Sequence, residues 1–178
     1  MGEYYLFVDT VTLFLYLKEN IIMIGTELEV QIQILSEIIK NNHFCDVKAI
    51  DKSLAKIMAF NQASVIRPLI RLIEDDAEYD EAVFSIIHSV ESFKDNVYIS
   101  ECIKELPYLV IKSPQWALIL FKRILNNDRT MICLIENIHF TTYEIKQTIL
   151  WLVEEINQKS TQFLDKTETM KLAVKNAE

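Results

Sequence analysis

Apolar residues recur along this chain at intervals of three and four, which is the period of amphipathic helices. The first stripe comprises Leu28, Ile32, Leu35 and Ile39. The last comprises Ile145, Ile149, Leu152, Val153 and Ile156. Six further stripes lie between them, joined by short polar connections, and short connections favour antiparallel neighbours. The pattern predicts an all-α chain of about eight helices. They would form antiparallel pairs in a small HEAT-like α-solenoid, with an irregular helical bundle as the alternative.

Polar signals predict where these helices begin and end. The predicted starts are the capping boxes Thr26–Glu29 and Thr141–Glu144, the N-caps Asp51 and Ser113, and Pro114 at a first helical position. Pro107 is expected to end the fifth helix or to begin the next short turn, because proline cannot donate a backbone hydrogen bond. In the seventh helix the spacing directs Ile132, Ile135 and Ile138 inward.

The chain is also divided into segments by composition. Residues 1–22 are an N-terminal segment of uncertain role, either a translated leader before Met23 or an extra packing element. Residues 23–158 are the helical domain, and residues 159–178 form a polar surface helix or tail. The longest apolar runs are far shorter than a membrane-spanning helix requires.

Glycine is scarce, with only two residues among 178. Phosphate-binding loops, dinucleotide fingerprints and nucleophile elbows all need glycines at fixed offsets, so none of these motifs is present. The 26 acidic and 18 basic residues give a net charge of −8. That charge argues against nucleic acid and anionic membranes as partners and favours a basic protein.

Three cysteines lie far apart in mostly apolar surroundings, at Cys45, Cys102 and Cys133. Their odd number argues against a disulfide framework, so we expect reduced, buried thiols in a cytoplasmic protein. No pair of cysteines or histidines has the spacing of zinc ligands. The sequence therefore predicts no metal, no cofactor and no catalytic residue.

The densest polar feature is an acidic run that holds six carboxylates within eight residues, namely Glu74, Asp75, Asp76, Glu78, Asp80 and Glu81. It has no glycine for a calcium loop. Two interpretations remain. One is a docking surface for a cationic partner. The other is a solvated loop whose acids favour the N-terminus of the next helix.

Other polar and aromatic residues have structural interpretations. His88 is expected to be half-buried beside Glu91 and to fasten its helix to the next one. Trp116 and Trp151 are expected in the core, although tryptophan is also common at binding hot spots. Arg67 and Arg71, one helical turn apart, are expected to pair with the surplus acids.

Residues 84–93, 106–109 and 113–127 resemble the immunity protein 30 family of bacterial polymorphic toxin and contact-dependent growth inhibition systems. The resemblance is good from residues 66 to 127, looser to residue 158 and absent from residues 1–22. Its most specific residues are His88 and Glu91 in one helix, and Ser113, Pro114, Trp116, Arg123 and Asn126 in another.

The resemblance implies an all-α, non-enzymatic, cytoplasmic protein that binds one cognate toxin domain and blocks it. Such toxins are often nucleases with basic clefts, an RNase being one option. Steric and electrostatic occlusion of that cleft would suit the charge of −8. The expected contact residues are the six acids from Glu74 to Glu81, with Glu91 and Asp95 as secondary candidates. The chain would be a monomer or a weak dimer. A helical-repeat adaptor unrelated to toxins is the alternative function, and an enzyme is the third.

Overall fold

The computed structural model describes residues 10–177, and this part of the chain is all-α. Nine α-helices and no strand occur within it. Their bounds are α1 Thr10–Asn42, α2 Val47–Ala59, α3 Ile66–Ile70, α4 Asp80–Glu91, α5 Asp95–Lys112, α6 Pro114–Asn126, α7 Asp128–Ile138, α8 Tyr143–Lys159 and α9 Leu164–Asn176. Short 3₁₀ turns, Ala63–Val65 and Thr161–Phe163, precede α3 and α9. The all-α prediction is confirmed.

The helices pack in two interleaved rows. The α2–α4 and α6–α8 pairs lie in one row, and the α3–α5, α5–α7 and α7–α9 pairs lie in the other. Phe84 contacts Trp116 and Glu91 contacts Arg123, so α4 and α6 run side by side in the same direction. This arrangement is compatible with a HEAT-like solenoid. However, α5 also packs against α8 across the rows, as in a bundle. The solenoid therefore stays a prediction.

The core consists of the apolar stripes that the sequence pattern predicts. Fully buried or nearly buried positions include Leu35 of α1, Ile70 of α3, Ile87 of α4, Leu106 of α5 and Leu152 of α8. One inward assignment is wrong: the Ile132 side chain is 56% exposed. The first helical turns of α7 face α5 through Thr130 and Leu134, which leaves the intervening position on the outside.

Three predicted helix starts are displaced. Thr26 lies inside α1, which is one continuous helix from Thr10 to Asn42. Asp46 caps α2 by accepting a hydrogen bond from the Ala49 amide at 2.9 Å, so Asp51 is an interior residue. Thr142 caps α8 in place of Thr141. For α2 and α8 a nearby polar residue had the same capping chemistry, and tertiary packing chose between them.

Pro107 lies inside α5 rather than at its end. An interior proline removes one backbone hydrogen bond and disfavours the helix. Here Leu106 and Leu109 on either side of it are fully buried, and α5 packs against α3, α6, α7 and α8. Burial of that apolar face outweighs the lost hydrogen bond, so α5 continues to Lys112.

The predicted boundary between residues 22 and 23 falls within α1, and residues 1–9 of the N-terminal segment lie outside the described residues. The domain limits stay predictions. At the other end, α9 packs on α8 and buries Met170 and Val174. No helix in the described part of the chain combines the length and the apolar character needed to cross a membrane.

Candidate functional site

The acidic run forms the connection between α3 and α4, and its first part is tied to the junction of α5 and α6. The Asp75 carboxylate accepts hydrogen bonds from the amides of Gln115 at 3.0 Å and Trp116 at 3.2 Å. These amides belong to the first turn of α6, where backbone donors have no partner within the helix. Asp75 is therefore the side-chain cap of α6, supplied from 40 residues away in sequence.

Ser113 occupies the N-cap position of α6 as predicted, but it does not cap that helix with its side chain. Its buried hydroxyl donates instead to the Ile73 carbonyl at 2.7 Å. Beside it, the Glu74 carboxylate lies 3.6 Å from the Lys112 ammonium. The start of the acidic connection is thus held by a buried hydrogen bond, an ion pair and a helix cap.

The remaining acids of the run are exposed, namely Asp76, Glu78, Asp80 and Glu81, which we call the acidic loop. No ion pair to any of them is present within residues 10–177. Asp80 and Glu81 lie in the first turn of α4, where the helix dipole stabilises negative charge. This exposed position is compatible with both interpretations of the sequence, a docking surface and a solvated loop before the next helix.

The acidic loop is also tied to the connection between α1 and α2. The Glu78 amide donates to the His43 carbonyl at 3.2 Å. His43 and the buried Phe44 both have left-handed backbone conformations, with φ of 44° and 64°. Such angles favour glycine, so this glycine-poor chain adopts them at a cost in strain. Desolvation by surrounding atoms and the nearby Glu78 carboxylate raise the pKa of the exposed Cys45 thiol.

Glu91 and Asp95 lie elsewhere. Asp80 begins α4 and Glu91 ends it, so the two are about 16 Å apart at about 1.5 Å per residue. Glu91 and Asp95 line a cavity of about 380 Å³ together with Tyr98, whose pKa burial raises well above its ordinary value. The eight predicted contact residues therefore form two separate groups rather than one surface.

Both carboxylates in this cavity are engaged by arginines. Glu91 accepts two hydrogen bonds from Arg123, at 2.7 and 2.6 Å, and these raise the pKa of Arg123. Asp95 lies 3.4 Å from the guanidinium of Arg129, which is largely exposed. The Glu91–Arg123 pair is bidentate, a geometry that adds directional specificity. It joins α4 to α6.

Several of the residues that carry the family resemblance meet at this α4–α6 contact. The ring of Phe84 packs edge-to-face against Trp116, with centroids 5.1 Å apart. The Arg123 guanidinium also lies over the Phe84 ring, 5.9 Å from its centre. Trp116 is buried as predicted. His88 stacks on Phe84 but is exposed, so the expected half-buried histidine is wrong, and Arg123 joins the helices instead.

Two further core assignments are wrong. The Trp151 side chain is 38% exposed, because it lies on the outer side of α8. Of the three cysteines only Cys102 is fully buried, and burial raises its pKa to about 12. Cys133 is half-buried and Cys45 is exposed, although all three are free thiols.

Sequence reasoning missed Glu105, a charged residue whose side chain is fully buried. It accepts hydrogen bonds from both Arg67 and Arg71, which confirms that these arginines pair with acids. Burial would raise the pKa of Glu105, but hydrogen bonds from Arg71 and Arg67 hold it below the ordinary value. Glu105 lies three residues after the buried Cys102 and four before the buried Leu109, so helical spacing alone places it inward.

Among the described residues, no group of three or more histidine, cysteine or acidic side chains is arranged to hold a metal ion. What the geometry offers is a polar surface for recognition. The acidic loop presents exposed carboxylates on a backbone that is fixed at Ile73, Asp75 and Glu78.

Comparison with known proteins agrees with the resemblance. The family model described as Immunity protein 30 matches residues 33–134. The match runs from the second half of α1 into α7 and includes the acidic loop and the α4–α6 contact. Neither the curated proteins nor the solved structures include a significant match. Because the model matches more than half of the chain, this protein belongs to the immunity protein 30 family.

Proposed function

We propose that this chain neutralises a cognate toxin domain by covering its active site, and that the toxin is a basic nuclease. Membership of an immunity family supports binding to a toxin. A nuclease must bind phosphates, so its cleft carries clustered lysine and arginine. A rigid acidic surface would compete for such a cleft. The chain would need no catalytic residue of its own.

The observation that carries this proposal is the exposure of Asp76, Glu78, Asp80 and Glu81 without intramolecular ion pairs in the described part of the chain. The other four candidate acids are engaged: Glu74 by Lys112, Asp75 by α6, Glu91 by Arg123 and Asp95 by Arg129. The four exposed carboxylates remain available to cations on a partner. Complementary charge of this kind accelerates association and selects the partner.

The fixed backbone of the loop supports the same role. Ordering a flexible segment costs binding free energy, and a segment that is already held avoids this cost. The loop is held at its start by the Ser113–Ile73 hydrogen bond and the Asp75 cap. It is held near its middle by the Glu78–His43 hydrogen bond. The acids would therefore meet the toxin with little loss of conformational entropy.

Charge reversal in the acidic loop tests the proposal. The binding partner for this test is the cognate toxin domain, which we expect to be encoded directly upstream of this chain. We expect the double variant Asp76→Lys and Glu81→Lys to weaken binding by at least about tenfold and to slow association at low salt. Glu136→Lys, an equally exposed acid on α7, is the matched control and should bind like the wild type. Surface plasmon resonance at several salt concentrations measures the rates of association and dissociation.

The outcomes separate the parts of the proposal. Equal binding by the loop variant and the control would remove the acidic loop from the interface, although the immunity role would stand. A toxin that is not neutralised by the wild-type chain in a growth-protection assay would refute the immunity role itself. Asp75 is unsuitable for this test because changing it also removes the cap of α6.

A further inference from the structure

A second surface of the chain has features of a binding interface. Four of its large apolar side chains are exposed and line hollows beside α5 and α8, namely Tyr108, Ile111, Tyr143 and Trp151. Ile111 is 84% exposed and Tyr143 is 72% exposed. Contiguous exposed apolar groups on a soluble protein mark sites of association. The clustering therefore suggests a partner that covers this region.

Two adjoining hollows shape this surface. The first has a volume of about 450 Å³ and lies along Arg67, Arg71, Lys104, Tyr108 and Ile111. The second has a volume of about 470 Å³ and lies along Val110, Tyr143 and Trp151. Glu144 lines both of them. We call the combined surface, from Arg67 to Trp151, the α5–α8 face. One edge of it is cationic, the other is aromatic, and Glu144 lies between them.

The arginines of the cationic edge are held in place by a buried carboxylate. The buried carboxylate of Glu105 fixes the guanidinium groups of Arg67 and Arg71, and the two arginine side chains are 44% and 53% exposed. The Arg71 guanidinium also lies 5.3 Å from the centre of the Tyr108 ring. One carboxylate cannot neutralise two guanidinium groups, so this edge retains positive charge. The edge is therefore preorganised for acceptor groups or for aromatic rings.

The charge of this edge decides between two occupants. Lys104 is paired with Glu101, and Glu105 offsets one of the two arginine charges, so the edge keeps one positive charge and offers no attraction to the basic toxin of the proposed function. A second copy of this chain carries the aromatic edge of Tyr143 and Trp151, on which these guanidinium groups can stack. The argument that the toxin does not occupy this face rests on the proposed function, whereas the rest of this inference does not.

We propose that the α5–α8 face binds a second copy of this chain in a two-fold symmetric dimer. In such a dimer each copy uses the same surface, so the cationic edge of one copy faces the aromatic edge of the other. Guanidinium groups then stack on Tyr143 and Trp151, and Ile111 packs near the centre. Arginine, tyrosine and tryptophan are the residues that contribute most to interfaces. Each favourable contact occurs twice.

The oligomeric state of the purified full chain tests this proposal without any toxin. Sedimentation velocity from low to high micromolar concentration should show a dimer that forms as concentration rises. Ile111→Asp and Tyr143→Asp should each raise the dissociation constant by at least about tenfold. Ile132→Asp is the matched control, because Ile132 is also exposed but lies on α7, outside this face. It should dimerise like the wild type.

Tryptophan fluorescence provides an independent readout. Trp116 is buried within the monomer, whereas Trp151 would become buried only on dimerisation. The emission should shift to shorter wavelength as concentration rises, and Trp151→Phe should abolish the shift. A wild-type chain that stays monomeric at all concentrations would overturn the proposal, as would equal weakening by Ile132→Asp. If Ile111→Asp instead abolishes toxin binding by a monomeric chain, the face belongs to the toxin and the dimer is wrong.

Discussion

Two groups of acidic residues in this chain have opposite surroundings. Glu105 is fully buried between Arg67 and Arg71, and Asp75 caps a helix that begins 39 residues later. The acidic loop from Asp76 to Glu81 is exposed and forms no ion pair within the described residues. The first group stabilises the fold, whereas the second remains available to a partner.

Asp75 and Asp76 show the difference most directly. They are adjacent and chemically identical, yet Asp75 accepts two backbone hydrogen bonds from α6 and Asp76 is exposed. The net negative charge of the chain therefore does not show how many of its carboxylates are available for docking. The tertiary contacts of each carboxylate decide which of them contribute to stability and which to recognition.

The largest expected effect belongs to Glu105. Glu105→Ala should lower the free energy of unfolding by about 3 kcal/mol, at the lower end of the cost of breaking a buried ion pair, because both arginines are half-exposed. Urea unfolding followed by circular dichroism measures the change. Glu101→Ala, which removes a surface ion pair with Lys104 on the same helix, should cost less than about 1 kcal/mol. If both variants lose the same free energy of unfolding, burial does not make the ion pairs of Glu105 more stabilising than a surface ion pair.

A smaller effect distinguishes the adjacent aspartates. Asp75→Ala should lower the free energy of unfolding by about 1 kcal/mol, the usual cost of losing a helix cap. Asp76→Ala should change it by less than about 0.5 kcal/mol, as expected for a surface residue without contacts. For toxin binding we expect the opposite order: charge reversal at Asp76 should have a larger effect than the change at Asp75. An Asp76→Ala variant that is as unstable as Asp75→Ala would contradict the division into two groups.

The smallest expected effect is a dependence on pH. The pKa of Glu105 is lower in the folded chain than its ordinary value of 4.5, so its ionised form contributes stability above that pH. This contribution is lost as the pH falls through the folded-state pKa. The stability difference between the wild type and Glu105→Gln should therefore be constant near neutral pH and narrow below pH 4.5. Urea unfolding at a series of pH values measures it, and a difference that widens on acidification would reverse the assigned sign.

Much of the fold followed from local pattern. The position of Ser113 and Pro114 at the start of α6 and the buried stripe of α8 agree with the sequence, whereas α4 begins within the acidic run, at Asp80, rather than after it. The errors occurred where two residues offered the same local chemistry, as with Asp46 and Asp51, or where packing outweighed a local preference, as at Pro107. Both kinds of outcome depend on contacts with distant helices.

The candidate site was less predictable. The sequence identified its acids but not their division, because Asp75 finds its partners on α6 and Glu91 finds Arg123 32 residues later. The α5–α8 face could not be predicted from the sequence for a similar reason. Ile111 and Trp151 occur in apolar-rich helices, and only the packing of α5 on α8 shows which apolar positions are left uncovered.

By itself the sequence determined an all-α chain with an excess of acid, because helical period, capping residues and net charge are local or additive properties. Its pattern also identified the family that the comparison supports. Tertiary structure alone decided which carboxylates are anchored and which apolar side chains stay exposed. The physical reason is that hydrogen bonding and burial depend on which helices meet, and that information is spread over residues far apart in the chain.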